Sequence, residues 1–176
     1  MADTRCAIYI DACCFIDMVK EAVGQPLTSD RAKDVWYLKQ ITQANRDNEI
    51  DVYTSILSIA ECTHAGGSIA PNVTATFNSL LMSGQYVKLV QLTPFIAGDA
   101  RDLRWRHGIT LRGADAVHVA SALDRKCDEF ITTDGQAKKM TAAATLLQLG
   151  LRVIRAFETT CLPAKYLQLR LPGTTP

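Results

Sequence analysis

The sequence predicts an α/β domain with a central, mainly parallel sheet of five strands flanked by helices. Short runs rich in β-branched and aromatic residues alternate with longer segments whose apolar residues recur at helical spacing. Such alternation is typical of βαβ units, which bring successive strands into a parallel sheet. The chain has 176 residues and contains neither an internal repeat nor a low-complexity linker. We therefore predict a single domain.

Five apolar runs are predicted to form the strands. Most of them are rich in residues that favour strands, and turn or helix signals separate them. Because the carboxyl ends of parallel strands meet at one edge of a sheet, the residues just after these runs are the first place to look for a site. The runs are CAIYI (6–10), IDVYT (50–54), YVKLVQL (86–92), EFITT (129–133) and LRVIRAF (151–157).

The segments between the strands are predicted to be helical. Ser29 or Asp30 is the predicted N-cap of the second helix, and Pro71 and the pair Thr93-Pro94 mark two further starts. Gly66-Gly67 and Gly150 are predicted to end helices. The predicted helices cover residues 14–23, 31–47, 56–65, 71–81, 94–107, 113–127 and 135–150.

We divide the chain into a domain over residues 1–157 and a C-terminal extension over residues 158–176. The extension is too apolar for a free tail, and we expect it to dock on the domain or on a second subunit. Its large apolar residues are Leu162, Tyr166, Leu167, Leu169 and Leu171.

The overall composition excludes several classes of protein. The 19 basic and 18 acidic residues leave a formal charge of +1, so nucleic-acid binding would need a local basic patch. The N-terminus has too few apolar residues for a signal peptide, and no apolar stretch is long enough to span a bilayer. The six cysteines form no CxxC pair. We expect reduced thiols in a cytoplasmic protein.

Four carboxylates occupy positions where a charge needs a partner. Asp11 and Asp134 each follow a predicted strand, while Glu61 and Asp115 lie within apolar helix faces. A buried carboxylate without a partner is costly, and one divalent cation would pair several of them. Oxygen ligands of this kind suit Mg²⁺ or Mn²⁺. Taken singly, Asp11 and Asp134 are better explained as helix caps, Asp115 as a complement to the helix dipole and Glu61 as a solvated helix residue.

A basic segment precedes the third of these carboxylates. Arg104 and Arg112, together with Lys138 further along, are candidate contacts for phosphates, and Trp105 or Tyr86 for base stacking. The alternative is a solvated helix face with a buried tryptophan.

The four acidic segments resemble the motifs of PIN-domain ribonucleases, in particular the VapC-type toxins of toxin–antitoxin pairs. IYIDACCFIDMV is similar to the first motif, SIAECTHA to the second, LRGADAVHVASAL to the third and FITTDGQAKKM to the fourth. Their order and approximate spacing agree over residues 6–157. Ala12-Cys13 departs from the Thr-Asn or Thr-Ser that usually follows the first aspartate of the family.

This resemblance implies a PIN-like fold and a metal-dependent endoribonuclease that hydrolyses RNA phosphodiester bonds. It implies that Asp11, Glu61, Asp115 and Asp134 bind Mg²⁺ or Mn²⁺ and activate a water. Thr132 and Cys13 then correspond to the residues that hydrogen-bond these ligands. The family also implies a homodimer and an antitoxin partner.

Other functions remain open from the residues alone. Cys13 is compatible with a PIN-like module that binds RNA or protein without cleaving it. The pairs Glu61-x-x-His64 and Asp115-x-x-His118 have the spacing of di-iron carboxylate bundles, although we expect His118 to be a packed residue. An aspartyl phosphatase also places an aspartate after its first strand, but it needs a second one where Cys13 stands.

Overall fold

The computed structural model describes residues 5–63, 70–133 and 142–168. Five strands form one sheet in which every pair is parallel, and helices flank it, as predicted. The spatial order of the strands is β3-β2-β1-β4-β5. The strands are β1 (Ala7–Ile10), β2 (Asp51–Ser55), β3 (Lys88–Val90), β4 (Glu129–Ile131) and β5 (Arg152–Ile154).

The described helices follow the predicted order. Thr93 caps its helix and Pro94 takes the first helical position, as the sequence predicted. Thr28 caps the second helix, one residue before the predicted cap, because its hydroxyl accepts a bond from the amide of Arg31. The helices are α1 (Ala12–Ala22), α2 (Ser29–Arg46), α3 (Leu57–Glu61), α4 (Pro71–Met82), α5 (Pro94–His107), α6 (Gly113–Asp124), α7 (Ala143–Gln148) and α8 (Ala164–Leu167).

The helix predicted over residues 56–65 ends earlier, because α3 stops at Glu61 and Cys62 is its C-cap. Gly66-Gly67 and the predicted helix start near Gly135 lie outside the described residues. The predicted end at Gly150 agrees with the structure: α7 stops at Gln148, and Gly150 has a φ of +88° that suits glycine.

The sheet separates two apolar clusters, as expected for a sheet covered on both faces. Ile8 and Ile10 point to one face, where they pack with Phe15 of α1 and Leu38 of α2. Tyr9 points to the other face, where it packs with residues of α5, α6 and β4. The alternation along β1 therefore directs Ala7 and Tyr9 toward this second cluster, which includes the apolar residues of α6.

The chain after β5 returns across the amino-terminal edge of the sheet. A short 3-10 helix (Ala156–Glu158) leads into this segment, and Leu162 and Tyr166 are buried in the first cluster. The hydroxyl of Tyr166 donates to Asp47 at 2.6 Å, and Lys165 pairs with Glu49 at 2.5 Å. The described part of the extension thus lies against the loop between α2 and β2.

Cys6 and Cys161 are paired as a disulfide, which differs from the reduced thiols expected from sequence. Their Cα atoms are 5.6 Å apart, a separation typical of disulfides. The pair joins the start of β1 to the extension, 155 residues later. The remaining cysteines, Cys13, Cys14, Cys62 and Cys127, are free.

No helix among the residues that the structure describes has the length and apolarity needed to cross a bilayer.

A buried carboxylate joins α2 to the end of β5. Asp34 is 0% exposed. Its Oδ2 accepts hydrogen bonds from the Arg155 guanidinium, including Nε at 2.9 Å, and its Oδ1 accepts one from the amide of Ala156 at 3.1 Å. Such a pair is costly to break because the remaining charge stays poorly solvated.

We predict that Asp34→Asn lowers the free energy of unfolding by about 3 kcal/mol, since the Arg155 charge loses its partner. Urea denaturation measures the change. Asp99→Asn, on the exposed surface of α5, is the control and should stay within about 0.5 kcal/mol of the parent protein. Equal effects of the two substitutions would contradict this role for Asp34.

Candidate functional site

Asp11 lies at the carboxyl end of the central strand and is the N-cap of α1. Its amide continues the sheet by donating to the carbonyl of Ile131 at 3.0 Å, and its Oδ1 accepts a bond from the amide of Ala12 at 2.9 Å. The side chain is 2% exposed. The sequence left two interpretations of Asp11 open, a helix cap and a buried site carboxylate. The structure shows that Asp11 is both a helix cap and buried.

The second carboxylate oxygen of Asp11 faces side chains on two segments. Thr132, just after β4, donates its hydroxyl to Oδ2 at 2.8 Å, and the Cys13 thiol donates to the same atom at 3.3 Å. The Cys13 sulfur and the Thr132 hydroxyl are themselves 3.3 Å apart. Cys13 thus retains a hydrogen bond to Asp11 where the family usually has asparagine or serine. These contacts hold the carboxylate in one orientation.

A second buried aspartate supports this segment, and sequence analysis missed it. Asp17 of α1 is 1% exposed, and its Oδ2 accepts a bond from the Thr133 hydroxyl at 2.8 Å. Its Oδ1 accepts one from Arg31 of α2 at 3.0 Å. Asp17 therefore anchors the residues after β4 next to Asp11. The sequence feature that could have revealed Asp17 is its position among the apolar residues of FIDMV, where a carboxylate needs a partner.

Glu61 is the last residue of the short helix α3. Hydrogen bonds of buried hydroxyl groups connect this helix to the sheet. Thr54 of β2 donates to the carbonyl of Ile10 at 2.8 Å and lies 2.7 Å from the hydroxyl of Ser58. The Cys62 thiol reaches the carbonyl of Ala12 at 3.7 Å. Glu61 is thus held at the same edge of the sheet as Asp11.

His118 of α6 contacts Glu61 directly. Its Nε2 forms a short hydrogen bond with Oε2 of Glu61, and its Nδ1 lies 2.8 Å from the hydroxyl of Tyr9. A carboxylate only accepts, so Nε2 carries the proton; Nδ1 of the neutral ring then accepts from Tyr9. The Tyr9 ring stacks on Phe130 at 5.2 Å. Burial and the charge of Asp11 raise the pKa of Tyr9, which keeps its hydroxyl a donor.

Asp115 lies in the first turn of α6, three residues before His118. This spacing places both side chains on one face of the helix. The hydrogen bond between His118 and Glu61 therefore brings α3 to the face of α6 that carries Asp115.

The structure brings three of the four predicted acids to one region without closing them into a tight cluster. Among the described residues, the ligand atoms of Asp11, Glu61 and Asp115 do not all lie within 4.8 Å of one another. Asp134, the fourth acid, lies outside the described residues, as does Lys138. The donor set is nevertheless all carboxylate oxygen, which fits Mg²⁺ or Mn²⁺, cations that retain several waters.

The predicted nucleic-acid residues are divided between two places. Arg104 and Trp105 are exposed in the last turns of α5, and Arg112 is exposed just before α6. Trp105 is 71% exposed beneath the Arg101 guanidinium, so the alternative of a buried tryptophan is wrong. Tyr86 lies just before β3, at the amino-terminal edge of the sheet, and packs against Arg46. Asp11 lies at the carboxyl edge, so Tyr86 is not placed to stack on a base at the site.

A family model for the PIN domain matches residues 8–143 of the chain. The chain belongs to the PIN domain family. The match includes the described site residues of this PIN domain, from Asp11 through Glu61 and Asp115 to Thr132, and it ends before β5 and the extension. No curated protein sequence gives a significant match.

Two solved structures share the PIN fold of this chain. One is a structure of FitAB bound to the IR36 DNA fragment, with 15% identity, a TM-score of 0.50, and coverage of 86% of this chain and 96% of that chain. The other is FitAcB from Neisseria gonorrhoeae, with 16% identity, a TM-score of 0.50, and coverage of 86% and 99%. At these identities the likeness concerns the fold alone.

We predict that His118→Ala lowers the free energy of unfolding by about 2–3 kcal/mol, because the buried Tyr9 hydroxyl is left without its acceptor and the packing around the ring is removed. Chemical denaturation measures the change. His107→Ala, on the exposed end of α5, should change stability by less than about 0.5 kcal/mol. Nitrogen chemical shifts of the His118 ring in the parent protein should report the Nε2–H tautomer; the Nδ1–H form would contradict the assigned hydrogen bonds.

The free thiols should differ in reactivity. The hydrogen bond from the Cys14 thiol lowers the pKa of half-buried Cys13, whereas burial raises the pKa of Cys14 well above its usual value. Burial also raises the pKa of Cys62 and of Cys127 to about 12. Because the thiolate is the nucleophile, we predict that iodoacetamide at pH 8 modifies Cys13 first among these four. Peptide mass spectrometry gives the order, and faster labelling of Cys62 or Cys127 would contradict it.

Proposed function

We propose that this PIN domain is a divalent-metal-dependent endoribonuclease of the VapC type. The observation that carries the proposal is the buried carboxylate of Asp11 at the carboxyl end of β1, oriented by Thr132 and accompanied at that edge by Glu61 and Asp115. Open α/β sheets place their sites at this edge. The resemblance of all four acidic motifs to PIN ribonucleases supplies the reaction class.

We assign the metal to Asp11, Asp115 and Asp134, with Glu61 as a further ligand or a residue that positions water. Bound Mg²⁺ or Mn²⁺ would supply Lewis acidity, lowering the pKa of a water and stabilising charge on the phosphate. Thr132 and Cys13 hold the Asp11 carboxylate by hydrogen bonds, so that it presents its remaining lone pairs in a fixed direction. His118 holds Glu61 in the same way.

Exposed basic residues support RNA as the substrate. Arg112 precedes the helix of Asp115, while Arg104 and Trp105 end α5. Guanidinium groups bind phosphates, and an exposed indole offers a stacking surface for a base. Lys138 belongs to the same proposal. We also propose a cytoplasmic location, where such a substrate is abundant.

Two apolar surfaces support protein partners. A groove of about 260 Å³ lies between α1 and α4, is lined by Val19, Val73 and Phe77, and reaches Thr63 beside the site. We propose that an apolar segment of an antitoxin binds there. Phe95 of α5 is 83% exposed and Leu92 is 47% exposed. This surface is our candidate for a homodimer interface, because isolated monomers seldom expose such residues together.

The central test is RNA cleavage with added Mg²⁺ or Mn²⁺. We predict that EDTA abolishes cleavage and that Asp11→Asn and Asp115→Asn each reduce kcat/KM at least about a hundredfold, because metal stabilisation supplies several kcal/mol. Asparagine is also a good N-cap, so Asp11→Asn should preserve α1. Asp124→Asn, exposed at the far end of α6, is the matched control with unchanged activity.

Cleavage that survives chelation or both substitutions would contradict the metal site. Binding of RNA without cleavage by the parent protein would favour the alternative of a PIN-like binding module.

We predict that Arg104→Ala and Arg112→Ala weaken RNA binding, and that removing one phosphate-binding guanidinium reduces the slope of log K against log salt by about 0.7. Fluorescence anisotropy over a salt series measures the slope. Arg46 is exposed at the end of α2, next to Tyr86 and the amino-terminal edge of the sheet. Arg46→Ala removes the same charge there and should leave the slope unchanged. Equal effects at all three positions would indicate only a general charge effect.

A further inference from the structure

A group of potential metal ligands lies at the amino-terminal edge of the sheet, opposite the candidate nuclease site. Cys6 precedes β1, Asp128 precedes β4, and Cys161 belongs to the extension. The two sulfur atoms and a carboxylate oxygen of Asp128 all lie within 4.8 Å of one another. The family match begins at residue 8 and ends at residue 143, so Cys6 and Cys161 both fall outside it.

Main-chain hydrogen bonds hold two of these residues rigidly. The carbonyl of Cys6 accepts from the amide of Asp51 at 3.0 Å, and the amide of Asp128 donates to the carbonyl of Ala7 at 2.8 Å. The Ala7 amide in turn donates to Oδ2 of Asp128 at 2.8 Å. The Asp128 carboxylate is therefore fixed against the start of β1, with lone pairs remaining on both oxygens.

The third residue is fixed by a buried carboxylate. Glu129 is 1% exposed, and it accepts bonds from the Thr159 hydroxyl at 2.5 Å and from the amide and hydroxyl of Thr160 at 2.9 and 3.0 Å. The Cys161 amide donates to the Thr159 hydroxyl at 3.2 Å. The extension thus presents the Cys161 sulfur to Cys6 from an anchored turn.

Partial exposure makes the group accessible. Cys6 and Cys161 are half-buried, and Asp128 is exposed. Small thiols can therefore reach the disulfide. A metal ion can enter from solvent and keep a water as a further ligand.

We propose that Cys6, Cys161 and Asp128 form a zinc site when the disulfide is reduced. A thiol reductant supplies the two electrons and two protons that convert the disulfide into two thiols, and the reductant becomes a disulfide. Zn²⁺ then binds two thiolates and one carboxylate, and the two thiol protons are released to solvent. Three protein ligands with one water complete a tetrahedral zinc site, and sulfur ligands favour Zn²⁺ over Mg²⁺ or Mn²⁺.

The disulfide-bonded state and the zinc-bound state both attach the extension to the sheet. The disulfide in oxidising surroundings, and zinc in reducing surroundings, each tie the extension to β1 and β4. Docking of Leu162 and Tyr166 on the core then persists under both conditions. This site is independent of the proposed nuclease activity, because it uses different residues, a different edge of the sheet and a different class of metal.

The test is metal binding by the full chain after reduction with a phosphine. Competition with a chromophoric chelator should show one Zn²⁺ per chain beyond what the oxidised protein binds, and Co²⁺ should give a thiolate-to-cobalt charge-transfer band in the near ultraviolet. Cys6→Ser and Cys161→Ser should each abolish that zinc binding, and Asp128→Asn should weaken it at least about tenfold. The oxidised parent protein is the matched control. It should bind one Zn²⁺ fewer and give no thiolate-to-cobalt band, because its sulfur atoms are joined.

The Co²⁺ spectrum of the parent protein keeps the proposal testable if a serine variant fails to fold, which circular dichroism reveals. A reduced parent protein that binds no more zinc than the oxidised protein and gives no thiolate-to-cobalt band would overturn the proposal and leave the pair as a disulfide only. If this additional binding persists in the folded serine variants, or is unchanged by Asp128→Asn, the proposal is overturned equally.

Discussion

The carboxylate of Asp11 is buried at the end of the central strand, and such a charge requires compensation from several directions. The amide of Ala12 and the hydroxyl of Thr132 provide part of it, so the position of Asp11 depends on both α1 and the residues after β4. Those residues depend in turn on Asp17, which binds Thr133 and Arg31. The carboxyl edge of this PIN domain is therefore organised around one anionic group.

The same physical device recurs away from the site. Asp34 binds Arg155 and the start of the 3-10 helix, and Glu129 binds Arg152 together with two threonines of the extension. In each case a buried carboxylate of the domain accepts several hydrogen bonds from residues of β5 or of the chain that follows β5. Apolar burial of Leu162 and Tyr166 supplies non-directional attraction. The carboxylates supply the direction that fixes the register of the extension.

The two edges of the sheet differ in chemistry. The carboxyl edge offers oxygen ligands and the Tyr9–His118–Glu61 hydrogen-bonded chain, whereas the amino edge offers two sulfur atoms and a single carboxylate. Hard and soft ligands select different metals. The two groups are separated by the length of the strands, so the hydrolysis proposed at one edge and the attachment of the extension at the other use different residues.

The sequence by itself determined the strand and helix pattern, the Thr93-Pro94 start, and the position of Asp11 at the end of the first strand. These features depend on local periodicity, capping chemistry and short motifs, which a single segment contains. Only the tertiary structure decided the contacts of His118 with Glu61 and Tyr9, of Asp17 with Thr133, and of Cys6 with Cys161. Each joins segments far apart in the chain, and none follows from spacing, because the strand order β3-β2-β1-β4-β5 sets which segments become neighbours.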